Sequence, residues 1–387
     1  MAFQDDIKIR SFNYEIDRRR IEDFEQKCEV GTSKRVFLFT DTMGDPICRI
    51  RNSPQYKMLV AELDNELVGV IQCSIKIATV GSSIKDQARV AYILGLRVDP
   101  CHRRKGIGLS LVNRLEEWFV ANHVDFAYMA TDKENEASVK LFTDKLGYIK
   151  FRTPAILVHP VGVRRIHISP TVEITKLKIE DAEHLYRRFM GSTEFFPDDI
   201  DRVLRNKLSL GTWVAYPQGE SWIDIKSGQL PTNWTMVSVW NSGDLFKLRV
   251  GKAPLSCLMY AKSSRLIDRA FPCLRIPVFP DVFHPFGFYF MYGLHQHGPR
   301  SNVLVRSLCR FVHNMAKELE EDCRVIVTEV GRRDTVRLHI PHWKMLSCAE
   351  DLWCMKALTK EAQDTLFVLT TQPSMASRAL FVDPREV

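Results

Sequence analysis

The chain has 387 residues, 45% hydrophobic and 26% charged, with a formal net charge of +7. That balance excludes wholesale disorder, and the length accommodates two or three domains with cores of their own. No apolar run approaches the roughly 18 residues of a membrane-spanning helix, and the N-terminal M-A-F-Q-D-D-I-K-I-R lacks the apolar stretch of a secretion signal.

Residues 7–10 alternate as a short strand, and 14–27 read as a polar helix with Ile16, Ile21 and Phe24 as its apolar stripe. Arg18, Arg19 and Arg20 sit among Glu15, Asp17, Glu22 and Asp23, a solvated helix face rather than an import signal. Residues 57–76 predict a hairpin turning at 64–66. A strand at 90–98 is stopped by Asp99 and Pro100. Leu111, Val112, Leu115 and Phe119 predict a helix over 107–122. A strand at 126–131, a helix over 135–145 closed by Gly147 and a strand from 148 follow. This order predicts parallel pairing.

Residues 152–170, with Pro154, Pro160 and Pro170, read as a connector. The plan then restarts: a strand at 172–174, helices at 180–188 and 198–206, and strands at 211–216 and 234–240 around a long loop at 217–231. A strand at 286–292, an amphipathic helix over 302–319 striped by Val303, Val305, Leu308, Val312 and Met315, and a strand at 324–330 complete it. An internal duplication is expected, with a first domain at 1–160 and a second at 161–387.

The chemistry concentrates at 98–108, V-D-P-C-H-R-R-K-G-I-G, which joins a strand to a helix N-terminus. Gly106 and Gly108 bare successive N–H groups to one anion, and Arg103, Arg104 and Lys105 add positive charge beside it. This is a pyrophosphate cradle. A Walker loop is excluded because GxxxxGK[ST] is absent, and a Rossmann loop because the third glycine is missing.

The pattern V-D-P-x-x-R-x-x-G-x-G resembles motif A of the GCN5-related N-acetyltransferases, the GNAT superfamily. Residues 135–148, N-E-A-S-V-K-L-F-T-D-K-L-G-Y, resemble its motif B at the family's spacing. The strings at 44–51, 194–197, 340–344 and 381–386 are further similar to the plant HOOKLESS proteins, probable N-acetyltransferases. The resemblance implies a nuclear regulator of growth and hormone response; the sequence itself leaves nucleus, cytoplasm or an organelle open.

It also implies an α/β (α+β mixed sheet) acetyltransferase fold with splayed parallel strands at 91–98 and 126–131, followed by a degenerate second acetyltransferase-like domain. Backbone groups of Leu96, Arg97 and Val98 would pair with the pantetheine of acetyl-CoA, one N–H holding the oxyanion. The amides from Arg104 through Lys105, Gly106, Ile107, Gly108 and Leu109 would take its pyrophosphate, with Arg103 beside them, and Asn135 would bond the cofactor. An amine, with a protein or histone lysine among the candidates, would attack directly.

No catalytic residue is assigned. The strand carries Tyr92, Ile93, Leu94, Gly95, Leu96 and Arg97 where many relatives place a Glu, and Phe142 stands where many have a Tyr. Glu62, Glu66, Asp132, His102 and Tyr128 are the substitutes weighed. A weakly catalytic regulatory or scaffold protein is the competing reading. The loop at 294–302 lacks G-x-G and has Pro299, so the second domain is expected to bind no cofactor and to wall the substrate groove. Ten cysteines without CxxC spacing, and His284, His295 and His297 without a patterned carboxylate, give no metal site. The dispersed charge does not point to direct sequence-specific nucleic acid binding, no membrane partner is expected, and a homo-oligomer stays open.

Overall fold

The computed structural model describes residues 7–28, 37–252, 280–319, 322–371 and 379–387, apart from 82, 84, 163, 221 and 223–229, together with 259 and 263. Most of the predicted 217–231 loop, including Gly228, lies outside the described residues. Two large sheets carry the architecture. The first has the order β1 (Lys8–Ser11), β3 (Gln55–Leu63), β4 (Glu66–Thr79), β5 (Gln87–Val98), β6 (Phe126–Asp132), β15 (Asp351–Ala357), β7 (Ile149–Arg152). The second has the order β8 (Ala155–Pro160), β14 (Cys323–Val330), β13 (Gly287–His297), β11 (Trp234–Asn241), β10 (Ser209–Pro217), β9 (Val172–Lys176). A third, two-stranded sheet pairs β2 (Phe37–Asp41) with β12 (Lys247–Lys252).

The two large sheets exchange strands. β15 enters between β6 and β7 and pairs antiparallel with both. β8 leaves for the edge of the second sheet and pairs antiparallel with β14. A boundary after residue 160 is therefore crossed in both directions, and the expected connector contains a strand. Its edge position is what tolerates Pro160, which has no N–H to give a ladder. The parallel neighbours are β5 with β6 and β13 with β14; β7, expected beside β6, is displaced by β15. The β3–β4 hairpin turns on Asp64 and Asn65, both at positive φ, the geometry that suits strand twist.

Helix α1 (Tyr14–Lys27) starts at Asn13, whose side chain accepts the Glu15 N–H at 3.0 Å. Its arginine run is not all solvated: Arg20 reaches Glu62 at 2.6 Å and Asp17 at 3.3 Å. Helix α2 (Ile107–Ala121) buries Ile107, Leu111, Val112, Leu115 and Phe119 against the outer face of the first sheet. Helix α3 (Glu136–Lys140) runs into a π-helical turn, Leu141–Lys145, and Gly147 ends it at φ +74. Helices α4 (Ile179–Met190) and α5 (Ile200–Arg205) bury residues in the core between the sheets. Helix α6 (Ser301–Leu319) covers the outer face of the second sheet, with Val303 exposed rather than on its stripe. Helix α7 (Lys360–Thr371) adds Ala362, Leu366 and Leu369 to the core between the sheets.

That core includes Tyr92, Tyr128, Trp240, Phe288, Phe290 and Trp353. The segment 380–387 is buried against it, and its charges are mutually satisfied. Lys76 lies 2.8 Å from Glu386 and 3.3 Å from Asp383, while Arg385 bridges Asp383 and Asp199, each at 2.7 Å. Buried ions of this kind persist only when paired.

Candidate active site

β5 and β6 pair from Val90 with Phe126 to Ile93 with Met129, and then part. A bulge accompanies the parting. On the β4 side the register jumps between Val70 opposite Arg97 and Gln72 opposite Leu94, which leaves one extra residue in β5. Gly95 sits there at φ +63, a conformation that only glycine takes without cost. A lone glycine inside a strand pattern is a bulge signal, and the sequence could have been read that way. Beyond it Leu96 and Val98 pack toward α2, while the Arg97 guanidinium lies 3.6 Å from Glu25 of α1. The Arg97 side chain is thus drawn to α1 and its backbone is opposite Val70 of β4, so Leu96 and Val98, not Arg97, have backbone directed away from β4.

The loop after β5 is set by Asp99, whose carboxylate accepts the Cys101 N–H at 2.7 Å. Arg104 at φ +65 and Gly106 at φ +84 then bring the chain into α2. Gly106 caps the helix without a side-chain acceptor, and the first turn holds no acidic residue. The amides of Ile107, Gly108 and Leu109 therefore leave the helix end without an internal partner, where the macrodipole favours an anion. Arg103, Arg104 and Lys105 are exposed around that point.

A Cβ added at Gly106 would meet nothing within 4 Å. One added at Gly108 would lie 3.4 Å from Leu141 and 3.8 Å from both Leu96 and Val98, ordinary contact distances. The protein's own packing does not require glycine at 108; keeping that space open does. A diphosphate on the bare amides and a slender chain in the gap fit these residues.

The other expected residues divide. Asn135 is half-buried at the start of α3, where its Oδ1 accepts the Ser138 N–H at 3.3 Å. Glu62 is held by Arg10 and Arg20 at the far edge; hydrogen bonding to Arg10 pulls its carboxyl below the usual range, so it is a poor base. Glu66 is exposed on the hairpin, and His102 lies 3.6 Å from Asp99. Tyr128 is 1% exposed, and Phe142 is also core, edge-on to Tyr148 at 5.1 Å. Asp132 accepts the Glu134 N–H at 2.9 Å and stands opposite Asp351. His295 and His297 pack against Trp234 and Phe189. Among the described residues no group of three or more His, Cys, Asp or Glu is placed to hold a metal, and no helix is long and apolar enough to cross a membrane.

The face of the gap turned toward the second sheet carries Tyr128, weighed above, together with groups that sequence reasoning missed. Tyr92 stacks near Tyr128, centroids 4.9 Å apart, and Tyr128 on Trp353 at 5.4 Å. The Trp353 indole donates to Glu329 Oε1 at 3.0 Å. Burial first, then the charge of Asp351, pushes Glu329 well above the usual carboxylate range. Burial, with Asp132 adding to it, pushes Asp351 up to about 7. Arg49 comes from the segment before β3, 5.5 Å from the Phe246 ring, and burial lowers its pKa. No local pattern marks this grouping, because five distant segments bring it together: the stretch before β3, β5, β6, β14 and β15.

The Acetyltransferase (GNAT) family profile matches residues 19–148. The chain is 46% identical to the probable N-acetyltransferase HLS1 of Arabidopsis thaliana, over 98% of this chain and 99% of that protein. It is 45% identical to the HLS1-like protein of Arabidopsis thaliana over the same shares. In fold it is similar to Saccharomyces cerevisiae N-myristoyltransferase with bound myristoyl-CoA, at TM-score 0.57 and 10% identity, covering 92% of this chain and 80% of that one. A splayed strand pair feeding a bare helix N-terminus, and relatives matched along their whole length, place the chain in the GNAT superfamily, within the HOOKLESS-type N-acetyltransferases, as an acetyltransferase.

Proposed function

We propose that the protein transfers the acetyl group of acetyl-CoA to an amine by direct attack in a ternary complex, with a protein lysine as the acceptor. The observation that carries this is the set of bare first-turn amides on α2, opening on the gap made at the Gly95 bulge. Bound there, acetyl-CoA supplies a thioester whose carbonyl carbon is open to a nucleophile. The amides from Arg104 to Leu109 hold the diphosphate, assisted by Arg103, Arg104 and Lys105. On the strand edge at Leu96, Arg97 and Val98, Leu96 and Val98 offer their backbone to the pantetheine amides while Arg97 stays paired with Val70 of β4, and an N–H of that edge polarises the thioester carbonyl. Asn135, with Oδ1 committed to its helix, keeps its amide N–H groups for the cofactor.

The test is transfer from labelled acetyl-CoA to lysine peptides, with Gly106→Asp and Gly108→Asp as controls. Loss of transfer in both is expected, and equal activity refutes the assignment. A second reading, a weakly catalytic regulator on the same fold, draws on the absence of a carboxylate from β5 and the burial of Phe142. It predicts tight acetyl-CoA binding with very slow transfer. Likeness to the HOOKLESS proteins supports a nuclear regulator of plant growth and hormone response; a tagged chain excluded from nuclei would refute that placement.

A further inference from the structure

We infer that Glu329, carried by the second sheet, takes the proton from the acceptor amine where β5 and β6 part. This rests on the acetyl-transfer reading above. β5 presents Tyr92 and Leu94 to the core between the sheets, and neither is a carboxylate. Glu329 shares the strand face of Val325 and Val327, which pack in that core, while Ile326 and Val330 pack under α6.

Trp353 fixes where the carboxylate stands. It lies opposite Ala130, the residue after Met129, at which β6 leaves β5. Its indole holds Glu329 Oε1 at 3.0 Å, and its ring stacks on Tyr128 at 26°. Glu329 is half-buried, and Oε2 carries no hydrogen bond among the described residues. One other polar group is left open in the same region: the Arg49 Nε is sealed from solvent with no acceptor, while the buried Tyr128 hydroxyl faces Glu386. Beyond its burial, the Tyr92 phenol feels the charges of both Arg49 and Glu329, so the three share one region of the core. A sealed guanidinium N–H without an acceptor is costly unless a ligand supplies one.

The step balances within the site. The amine lone pair forms the C–N bond to the acetyl carbonyl carbon, and Glu329 Oε2 takes the proton the nitrogen loses. The C–S bond then breaks with its electron pair on sulfur, and the sulfur takes the proton from Glu329, restoring the carboxylate. The groups facing Glu329 are Asp351 and the Trp353 indole on β15 and Glu386 in the 380–387 segment. Burial first, and then both carboxylates, raise its proton affinity while the indole N–H lowers it, so the base works nearer neutrality than an exposed glutamate would.

The experiment is Glu329→Gln, whose amide oxygen keeps the Trp353 bond. With acetyl-CoA and lysine peptides, kcat should fall about a hundredfold while acetyl-CoA affinity by calorimetry is unchanged, and the acidic inflection of the pH–kcat profile should vanish. Melting curves give a readout apart from turnover. A raised native pKa stabilises fully below the unfolded value near 4.5 and is lost as pH rises through the folded one, so the wild type should lose melting temperature relative to the variant as pH climbs above 4.5. A variant with wild-type kcat and inflection overturns the base and leaves acetyl transfer standing. A wild type that binds acetyl-CoA but acetylates no amine overturns both. Should the variant misfold, Glu329→Asp decides: a reduced kcat with the inflection kept supports the base, and an unchanged kcat overturns it.

Discussion

The two halves carry the same strand-to-helix device, and only one leaves the glycine at its bulge clear of other side chains' close approach. In both, a parallel pair ends two residues before a glycine at positive φ: Ile93 before Gly95 at +63, and Met291 before Gly293 at +60. Both strands then feed a helix, α2 or α6. In the first half the gap is bare. In the second it is plugged, because a Cβ at Gly293 would lie 2.1 Å from the Tyr186 hydroxyl, and Thr328 bonds the Met291 carbonyl at 2.7 Å. The helix ends differ likewise. Gly106 brings no acceptor to α2, whereas Asn233 accepts the Arg300 N–H at 2.9 Å beside α6. A strand–glycine–helix unit is therefore not in itself a cofactor site; it becomes one where the protein leaves its own donors unused.

The largest expected effect comes from filling the bare gap. Gly108→Asp should weaken acetyl-CoA at least a hundredfold by calorimetry, since it adds negative charge and bulk where charge-assisted bonds of about 1.5–3 kcal/mol each would form. An unchanged Kd would erase the contrast between the halves. Next is Asp351→Asn at the mouth of the first gap. The native carboxyl is raised from 3.8 to about 7, so the wild type loses this stabilisation as pH climbs through that window. The variant should melt with the wild type at pH 4 and a few degrees above it at pH 8. Smaller still, Phe142→Tyr should cost about 1–3 kcal/mol for a buried hydroxyl without gaining turnover, measured by denaturant melts and labelled transfer. The smallest effect sharpens the comparison from the other side. Asn233→Ala frees a donor in the second loop, but Tyr186 and Thr328 still plug the gap, so titration should give one acetyl-CoA per chain before and after; a second equivalent would break the argument.

What the sequence revealed follows the range of the interactions. The 98–108 loop was readable because Asp99, Gly106 and Gly108 act within a few residues of themselves. The β3–β4 hairpin and α2 were readable for the same reason. β15 was not, since its partners β6 and β7 lie some two hundred residues away and D-L-W-C-M-K-A has no turn beside it to declare a hairpin. β8 was hidden by Pro154 and Pro160, which argue against a strand everywhere except at an edge. The acceptor side of the site stayed hidden because Arg49, Glu329, Asp351 and Glu386 converge only through tertiary packing.

The strand exchange sets a timetable for assembly. Translation makes β6 early, but one flank of it stays unzipped until residues 351–357 leave the ribosome. The sheet begun first is thus not closed on that flank until long after its other strands have been made.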